Sequence, residues 1–221
     1  MKWLIAFDLD GTLAESKRPL SEDMAAILAR LLAITDVAVI SGGDWPQFEK
    51  QIASRLPAGV ALDRLWLMPT TGTKLYRFIN GAWRAVYAEL FDDAEKAKIR
   101  TAFDQALTDA GLADERIWGE RIEDRGSQIT FSSLGQAAPL KEKEAWDPDR
   151  KKRTALQATL RAKLPELSIN LGGTTSIDVT RAGIDKGYGL KRLSAESGVP
   201  LDGMLFIGDA IFPGGNDYPA A

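Results

Sequence analysis

The sequence predicts an α/β fold: a core of parallel strands layered between helices, interrupted by a second α+β domain. Three observations carry that prediction. Apolar runs at 4–7, 37–40 and 204–207 are too brief for helices and read as fully buried strands. Stretches of helical spacing lie between them, the arrangement that gives βαβ units and a parallel sheet. Between about residues 88 and 185 the pattern shifts to a long helix and alternating strands, so this segment is placed as a domain inserted into the first.

Composition narrows the chemistry before any motif is read. At 221 residues, 45% apolar and 27% charged, the chain can bury a sizeable core and has the make-up of an ordinary globular protein. A net charge of −3 gives no pull toward nucleic acid or anionic membrane, and no apolar run reaches spanning length. The opening run meets Asp8 too soon for a signal peptide, so a cytoplasmic location is expected. The chain has no cysteine and no histidine. Thiolate nucleophiles, Ser-His-Asp machinery and His- or Cys-bound metals are excluded. Any metal must be held by oxygen, and acid/base work falls to carboxylates or lysine.

Each element then delivers something. The first strand runs into Asp8-Leu9-Asp10-Gly11-Thr12. Side chains two apart on a strand share a face, so Asp8 and Asp10 are expected to project together. Their repulsion would be relieved by a divalent cation or a held proton. A polar turn with both acids solvated fits Asp-x-Asp-Gly equally well. Ser21 is read as the N-cap of a helix with Glu22 and Asp23 in its first turn, and Met24, Ile27, Leu28 and Leu31 facing the sheet. The second strand ends in Ser41-Gly42-Gly43-Asp44, which can cradle a phosphate or simply turn, with Asp44 capping the helix of Trp45, Phe48, Ile52 and Leu56. A strand at Trp66-Leu67-Met68 follows, then a hairpin around Asn80-Gly81.

In the inserted segment a helix begins near Asp93 and ends at Gly111. Gln128 to Ser132 alternates as a strand with one polar face, and a Gly-, Ala- and Pro-rich loop leads to Asp147-Pro148, read as N-cap and first helical residue. The basic run at 150–153 reads as a solvated helix face. Ile169 and Leu171 mark a strand, Gly172-Gly173 a turn, and Thr174 to Thr180 another strand with Ser176 and Asp178 on its polar face. Back in the first domain, Lys186 opens a helix, where ammonium and helix N-terminus together make an anion clamp or a plain surface charge. The strand at 204–207 then releases Asp209, with Asn216 and Asp217 one loop away.

Phe7-Asp8-Leu9-Asp10-Gly11-Thr12-Leu13 resembles the first signature of the haloacid dehalogenase superfamily, whose members transfer phosphoryl groups through an aspartyl-phosphate. Ser41, Lys186 and the pair Asp209 and Asp217 follow in that superfamily's order. The resemblance implies a Rossmann-like three-layer core at 1–87 and 186–221 and a type II cap domain at 88–185. It implies Mg²⁺ held by Asp8, Asp10 (through its carbonyl), Asp209 and Asp217. Asp8 would be the nucleophile, Asp10 the acid/base and Lys186 the tie between phosphate and Asp8, with Ser41 and Gly42 on the phosphate.

Within type II, Gly208 to Asp217, ending Pro-Gly-Gly-Asn-Asp, is similar to the last motif of eukaryotic-type phosphomannomutases. By that likeness Arg125 would hold a substrate phosphate, Ser176 and Asp178 would meet sugar hydroxyls, and Asn216 would belong to the same substrate set. Trp118 and Gln136 stand where those mutases carry further cap arginines, and Thr70-Thr71 replaces an acidic-Asn pair. Losing two guanidinium groups weakens capture of a second phosphate. The expected activity is therefore a Mg²⁺-dependent phosphatase of small sugar phosphates. A phosphomannomutase and a non-catalytic sugar-phosphate binder are the alternatives. Nucleic acid and membrane are not expected partners; a homodimer through the cap is. The family's closing helix and strand are missing after Ala221, so a further C-terminal segment is expected.

Overall fold

The computed structural model describes residues 3–221. The chain folds into two compact units, one formed by the segment ending at Glu89 together with Ile184–Ala221, the other by Leu90–Gly183. Among the described residues no helix is long and apolar enough to cross a membrane.

The first unit is built on a six-stranded sheet. Its strands are β1 (Leu4–Phe7), β2 (Asp36–Ile40), β3 (Leu65–Met68), β4 (Lys74–Ile79), β5 (Ala82–Ala88) and, last in the chain, β10 (Met204–Ile207). The order is β10-β1-β2-β3-β4-β5. The first four in that order run parallel, and the β4–β5 hairpin adds an antiparallel margin. Asn80 and Gly81, at φ 53° and 78°, turn that hairpin in the left-handed conformation their types favour. Alternate residues of β1 and β2 feed two cores, one on each face. Leu4, Ala6, Ala38 and Ile40 meet Leu190 and Leu193 of α7 (Lys186–Ser197). Leu9, Val37 and Val39 meet Ala25, Leu28 and Leu32 of α1 (Glu22–Leu32) with Phe48 and Ile52, while Met24 and Leu31 are only partly buried and Ile27, expected on this face, is 55% exposed. Ser21 caps α1, its hydroxyl accepting from Met24 N at 3.2 Å.

Several details differ from the sequence reading. β1 stops at Phe7, so Asp8 and Asp10 lie beyond the strand and its alternation does not govern them. The helix expected through Leu56 is a single α-turn, α2 (Trp45–Phe48), widened into a π-turn at Glu49–Ala53. A further turn, α3 (Pro69–Gly72), follows β3. Among the described residues β10 is the last strand on its side of the sheet, with Leu205 54% and Ile207 39% exposed. A fully apolar run marks a strand but does not tell an edge from a centre.

The second unit is a four-stranded antiparallel sheet in the order β6-β7-β9-β8: β6 (Ile122–Asp124), β7 (Ile129–Ser132), β9 (Ser176–Arg181) and β8 (Leu167–Leu171). Helices α4 (Asp93–Asp109) and α6 (Lys151–Lys163) cover one face. Ile99, Phe103 and Leu107 of the first and Leu156 and Leu160 of the second pack on Ile129, Phe131, Ile177 and Val179. Phe103 stacks on Phe131 at 4.8 Å. A capping box between Asp92 and Glu95 starts α4, and Gly111 at φ 66° closes it.

Three sequence expectations fail in this unit. The segment of α5 (Leu140–Trp146) was read as loop, and no element was assigned where β6 lies. Asp147-Pro148 does not open α6, which starts at Lys151 after Arg150 in left-handed conformation (φ 62°). The basic run is not all solvated: Arg153 is 4% exposed, paired with a buried Asp147. The pairing of carboxylate and guanidinium over six residues escapes a reading by charge runs alone. The polar side of β7 is itself buried, with Gln128, Thr130 and Ser132 all under 5% exposed.

Candidate active site

In the first unit, the carboxyl ends of three adjacent strands meet one helix start. Asp8 follows β1, Ser41 follows β2, Asp209 follows β10, and Lys186 is the first residue of α7. Asp8 N donates to Ile207 O at 2.9 Å, prolonging the β1–β10 pairing by one residue and fixing where the carboxylate leaves the sheet. Asp185 caps α7, accepting from Tyr188 N at 2.7 Å, so the lysine enters the helix at a set angle.

Lys186 is 2% exposed and spans two buried acids. Its ammonium donates to Asp8 Oδ1 at 2.5 Å and to Asp217 Oδ1. Asp217, 0% exposed, also accepts from Ala210 N at 2.9 Å, which folds the Gly208–Asp217 loop back on itself. Asp209 completes the group: Asp8, Asp209 and Asp217 each offer an oxygen, and the three lie within 4.8 Å of one another. Glycine makes room. Gly11, at φ 94°, would put a Cβ 2.6 Å from Asp209 Oδ2, and a Cβ on Gly208 would strike the Asp217 carboxylate. Any other residue at either position would push an acid out of the cluster. Burial raises the Asp8 carboxyl above its ordinary value, against the opposing pull of the Lys186 charge and hydrogen bond; the Asp217 charge adds to the rise.

Three carboxylate oxygens at this spacing, in a chain without cysteine or histidine, fit a hard divalent cation with oxygen ligands. The side chain of Asp10 faces elsewhere. Its carboxylate accepts from Lys17 N at 2.6 Å, Gln47 Nε2 at 3.0 Å and Gln51 Nε2 at 3.3 Å. Ser41 is buried, accepting weakly from Gly43 N at 3.5 Å, and beside it Asp44 caps α2 while pairing with Lys74 at 2.6 Å. Asn216 is exposed in the loop before Asp217.

Sequence reasoning missed Gln47 and Gln51. It singled out Thr70-Thr71 but not the turn they make, which supports the Ser41 loop: Thr70 N donates to Gly43 O at 2.8 Å and Thr71 N to Ser41 O at 2.9 Å. Both threonines sit in the left-handed region, φ 49° and 61°, which β-branched residues resist.

The second unit gathers a separate polar set on the sheet face opposite its helices. Thr130 pairs in register with Asp178, and Ser132 with Ser176. Gln128 Nε2 donates to Thr130 Oγ1 at 2.9 Å, and Thr130 Oγ1 to Asp178 Oδ1 at 2.7 Å. Burial pushes the Asp178 carboxyl up, opposed by the Arg125 charge and by hydrogen bonds from Thr130 and Gln128. Arg125 pairs with Glu123 at 2.8 Å.

Comparison with known proteins is consistent with this arrangement. The family model described as eukaryotic phosphomannomutase matches residues 24–220. The phosphomannomutase of Schizosaccharomyces pombe is 27% identical over 223 residues, covering 98% of this chain and 84% of that protein. That of Saccharomyces cerevisiae is 26% identical over 221 residues, covering 97% and 83%. Among solved structures, the IMP-nucleotidase of Plasmodium falciparum superposes with a TM-score of 0.70 at 15% identity. This chain is covered to 99% there but spans only 62% of that one. A haloacid dehalogenase-like hydrolase of Bacteroides thetaiotaomicron gives 0.60 at 17%, covering 95% and 82%. At such identities the structures speak for the fold alone.

Proposed function

The chain belongs to the eukaryotic phosphomannomutase family, within the haloacid dehalogenase superfamily of phosphotransferases, and on that premise we propose that it moves a phosphoryl group on a hexose phosphate through Asp8. The reaction favoured is that of a phosphomannomutase, interconverting mannose 1-phosphate and mannose 6-phosphate. The names of the relatives put this ahead of the plain phosphatase that the sequence alone favoured.

The observation that carries the reading is the buried Lys186 bridging Asp8 and Asp217, with Asp209 alongside. A carboxylate attacking a phosphate must overcome like-charge repulsion, and phosphoryl transfer asks a protein mainly for positioning and charge neutralisation. Asp8, Asp209 and Asp217, with the Asp10 carbonyl, would hold Mg²⁺, which when bound neutralises phosphate charge. Lys186 opposes the burial that raises the Asp8 carboxyl, aims it, and draws in the phosphate oxygens. A bond forms between Asp8 and phosphorus as the bond from phosphorus to the sugar oxygen breaks. Asp10, its carboxyl oriented by Gln47, Gln51 and Lys17 N, gives its proton to the departing oxygen. It then takes a proton from the next hydroxyl, whose oxygen bonds to phosphorus as the bond from phosphorus to Asp8 breaks and frees the carboxylate. Ser41 and Gly42 hold the phosphate; Arg125, Ser176, Asp178 and Asn216 hold the rest of the substrate.

One set of observations keeps hydrolysis as a second reading. A mutase must retain a bisphosphate by its distal phosphate, yet Trp118 and Gln136 carry no cation. Arg121 spends its guanidinium on the carbonyls of Leu112, Ala113 and Glu115, and Arg153 on Asp147. Incubation with mannose 1-phosphate, Mg²⁺ and a hexose bisphosphate decides. Mannose 6-phosphate is the expected product; release of free phosphate alone would establish the hydrolase, and neither product would overturn both.

A further inference from the structure

The motif that the mechanism leaves unused is the basic start of α6. Asp147, buried, accepts from Lys152 N at 2.9 Å, from Arg153 N at 3.1 Å and from Arg153 Nε at 2.9 Å. One carboxylate thus both caps α6 from a distance and locks the Arg153 guanidinium. The far end of that guanidinium donates to Gly173 O and, at 3.4 Å, to Gly172 O.

Arg153 heads a row. Four and eight residues on, Gln157 Nε2 and Arg161 Nη2 donate to Ile169 O at 2.7 and 3.2 Å. Residues at this spacing share one helix face. β8 is the edge of its sheet, so its outward carbonyls face no neighbouring strand, and two of these donors take the one at Ile169.

What the Arg153 end holds matters most. Gly172 N donates to Ser176 O at 2.9 Å, closing the turn between β8 and β9. A Cβ on Gly172 would lie 3.0 Å from Asp178 Oδ2 and 3.1 Å from Ser176 Cβ. The backbone that Arg153 fixes is therefore the wall against which these two side chains stand. A buried Arg–Asp pair contributes little net stability compared with an apolar pair of the same shape. Here it supplies a rigid planar fork aimed at two turn carbonyls, a task no apolar side chain performs.

We propose that Arg153, held by Asp147, is a positioning residue for substrate selection, fixing the Gly172–Gly173 turn so that Ser176 and Asp178 present a preset hydroxyl-binding edge to the sugar. The proposal rests on the reading of Ser176 and Asp178 as sugar contacts.

The test compares KM and kcat for mannose 1-phosphate with those for p-nitrophenyl phosphate, which has no sugar hydroxyls, in the full chain with Mg²⁺. Arg153→Met is expected to raise KM for the sugar phosphate about tenfold, leave its kcat within about twofold, and leave p-nitrophenyl phosphate turnover unchanged. Arg153→Lys, which keeps the charge but reaches only one of the two partners, is expected to restore part of the sugar KM and serves if the methionine variant does not fold. Asp178→Asn is the control. If it raises the sugar KM while both Arg153 variants leave it unchanged, or lower both substrates' kcat together, the positioning role is overturned. If Asp178→Asn itself leaves the sugar KM unchanged, the sugar-contact reading falls instead.

Discussion

Lys186 joins acids that the sequence separates by more than two hundred residues, and the bridge is buried on all sides. Taking it away leaves Asp8 and Asp217 as uncompensated buried charges, which costs on the order of 3 kcal/mol. Lys186→Met is therefore expected to abolish turnover and to melt well below the wild type, with added Mg²⁺ recovering more stability in the variant than in the parent. An equal Mg²⁺ effect in the two would place the cation away from these acids. Asp178 offers the opposite sign. Burial raises its carboxyl, so the folded state binds that proton more tightly than the unfolded chain does. Its contribution to stability is full at acid pH and is lost as pH climbs through the raised folded value. Asp178→Asn should melt above the wild type at pH 7, with the two converging near pH 4; a wild type that melts higher at pH 7 would contradict this. Asp8, Ser41, Asp209 and Lys186 could be placed from the sequence because three follow strand runs and one opens a helix, while Asp217 could be placed only through the motif resemblance. Gln47 and Gln51 could not, since their link to Asp10 spans 37 and 41 residues and leaves no mark on either neighbourhood.

Among the elements, α3 carries the clearest strain. Thr70 and Thr71 hold the left-handed conformation without glycine or asparagine, while their amides bind the Ser41 loop. Such a conformation costs about 1 kcal/mol or more for a β-branched residue. Thr71→Asn, which suits the left-handed region, is expected to raise stability by about 1 kcal/mol in denaturant titration while leaving KM for phosphate esters intact. A loss of stability would show that the Thr71 side chain compensates its own backbone. The helix period was readable in α4, where Ile99, Phe103 and Leu107 share the buried face, and the β4–β5 hairpin was readable from its Asn80-Gly81 turn; in α1 the period was right but Ile27, expected inward, is exposed. Such signals failed where context decides. Three-residue β6 has too few positions to show alternation. Arg153 reads as part of a solvated basic run because its partner lies across a turn rather than one helical turn away.

At the scale of the whole molecule, the parallel sheet and the antiparallel sheet each bring their polar residues to a defined place: strand ends in the first, one face in the second. The architecture was legible because each part repeats a simple pattern. The choice between isomerase and phosphatase was not, because it turns on a few cap side chains whose hydrogen bonds span loops. On the proposed mechanism both activities share the same first event, transfer of a phosphoryl group to Asp8. Brief incubation with Mg²⁺ and a hexose bisphosphate, followed by acid quench and peptide mass spectrometry, reads that event directly. A hydroxylamine-labile phosphoryl group on the peptide containing Asp8, absent from Asp8→Asn, is the predicted result. Turnover by Asp8→Asn at the wild-type rate, or a phosphoryl group on any other residue, would contradict the account.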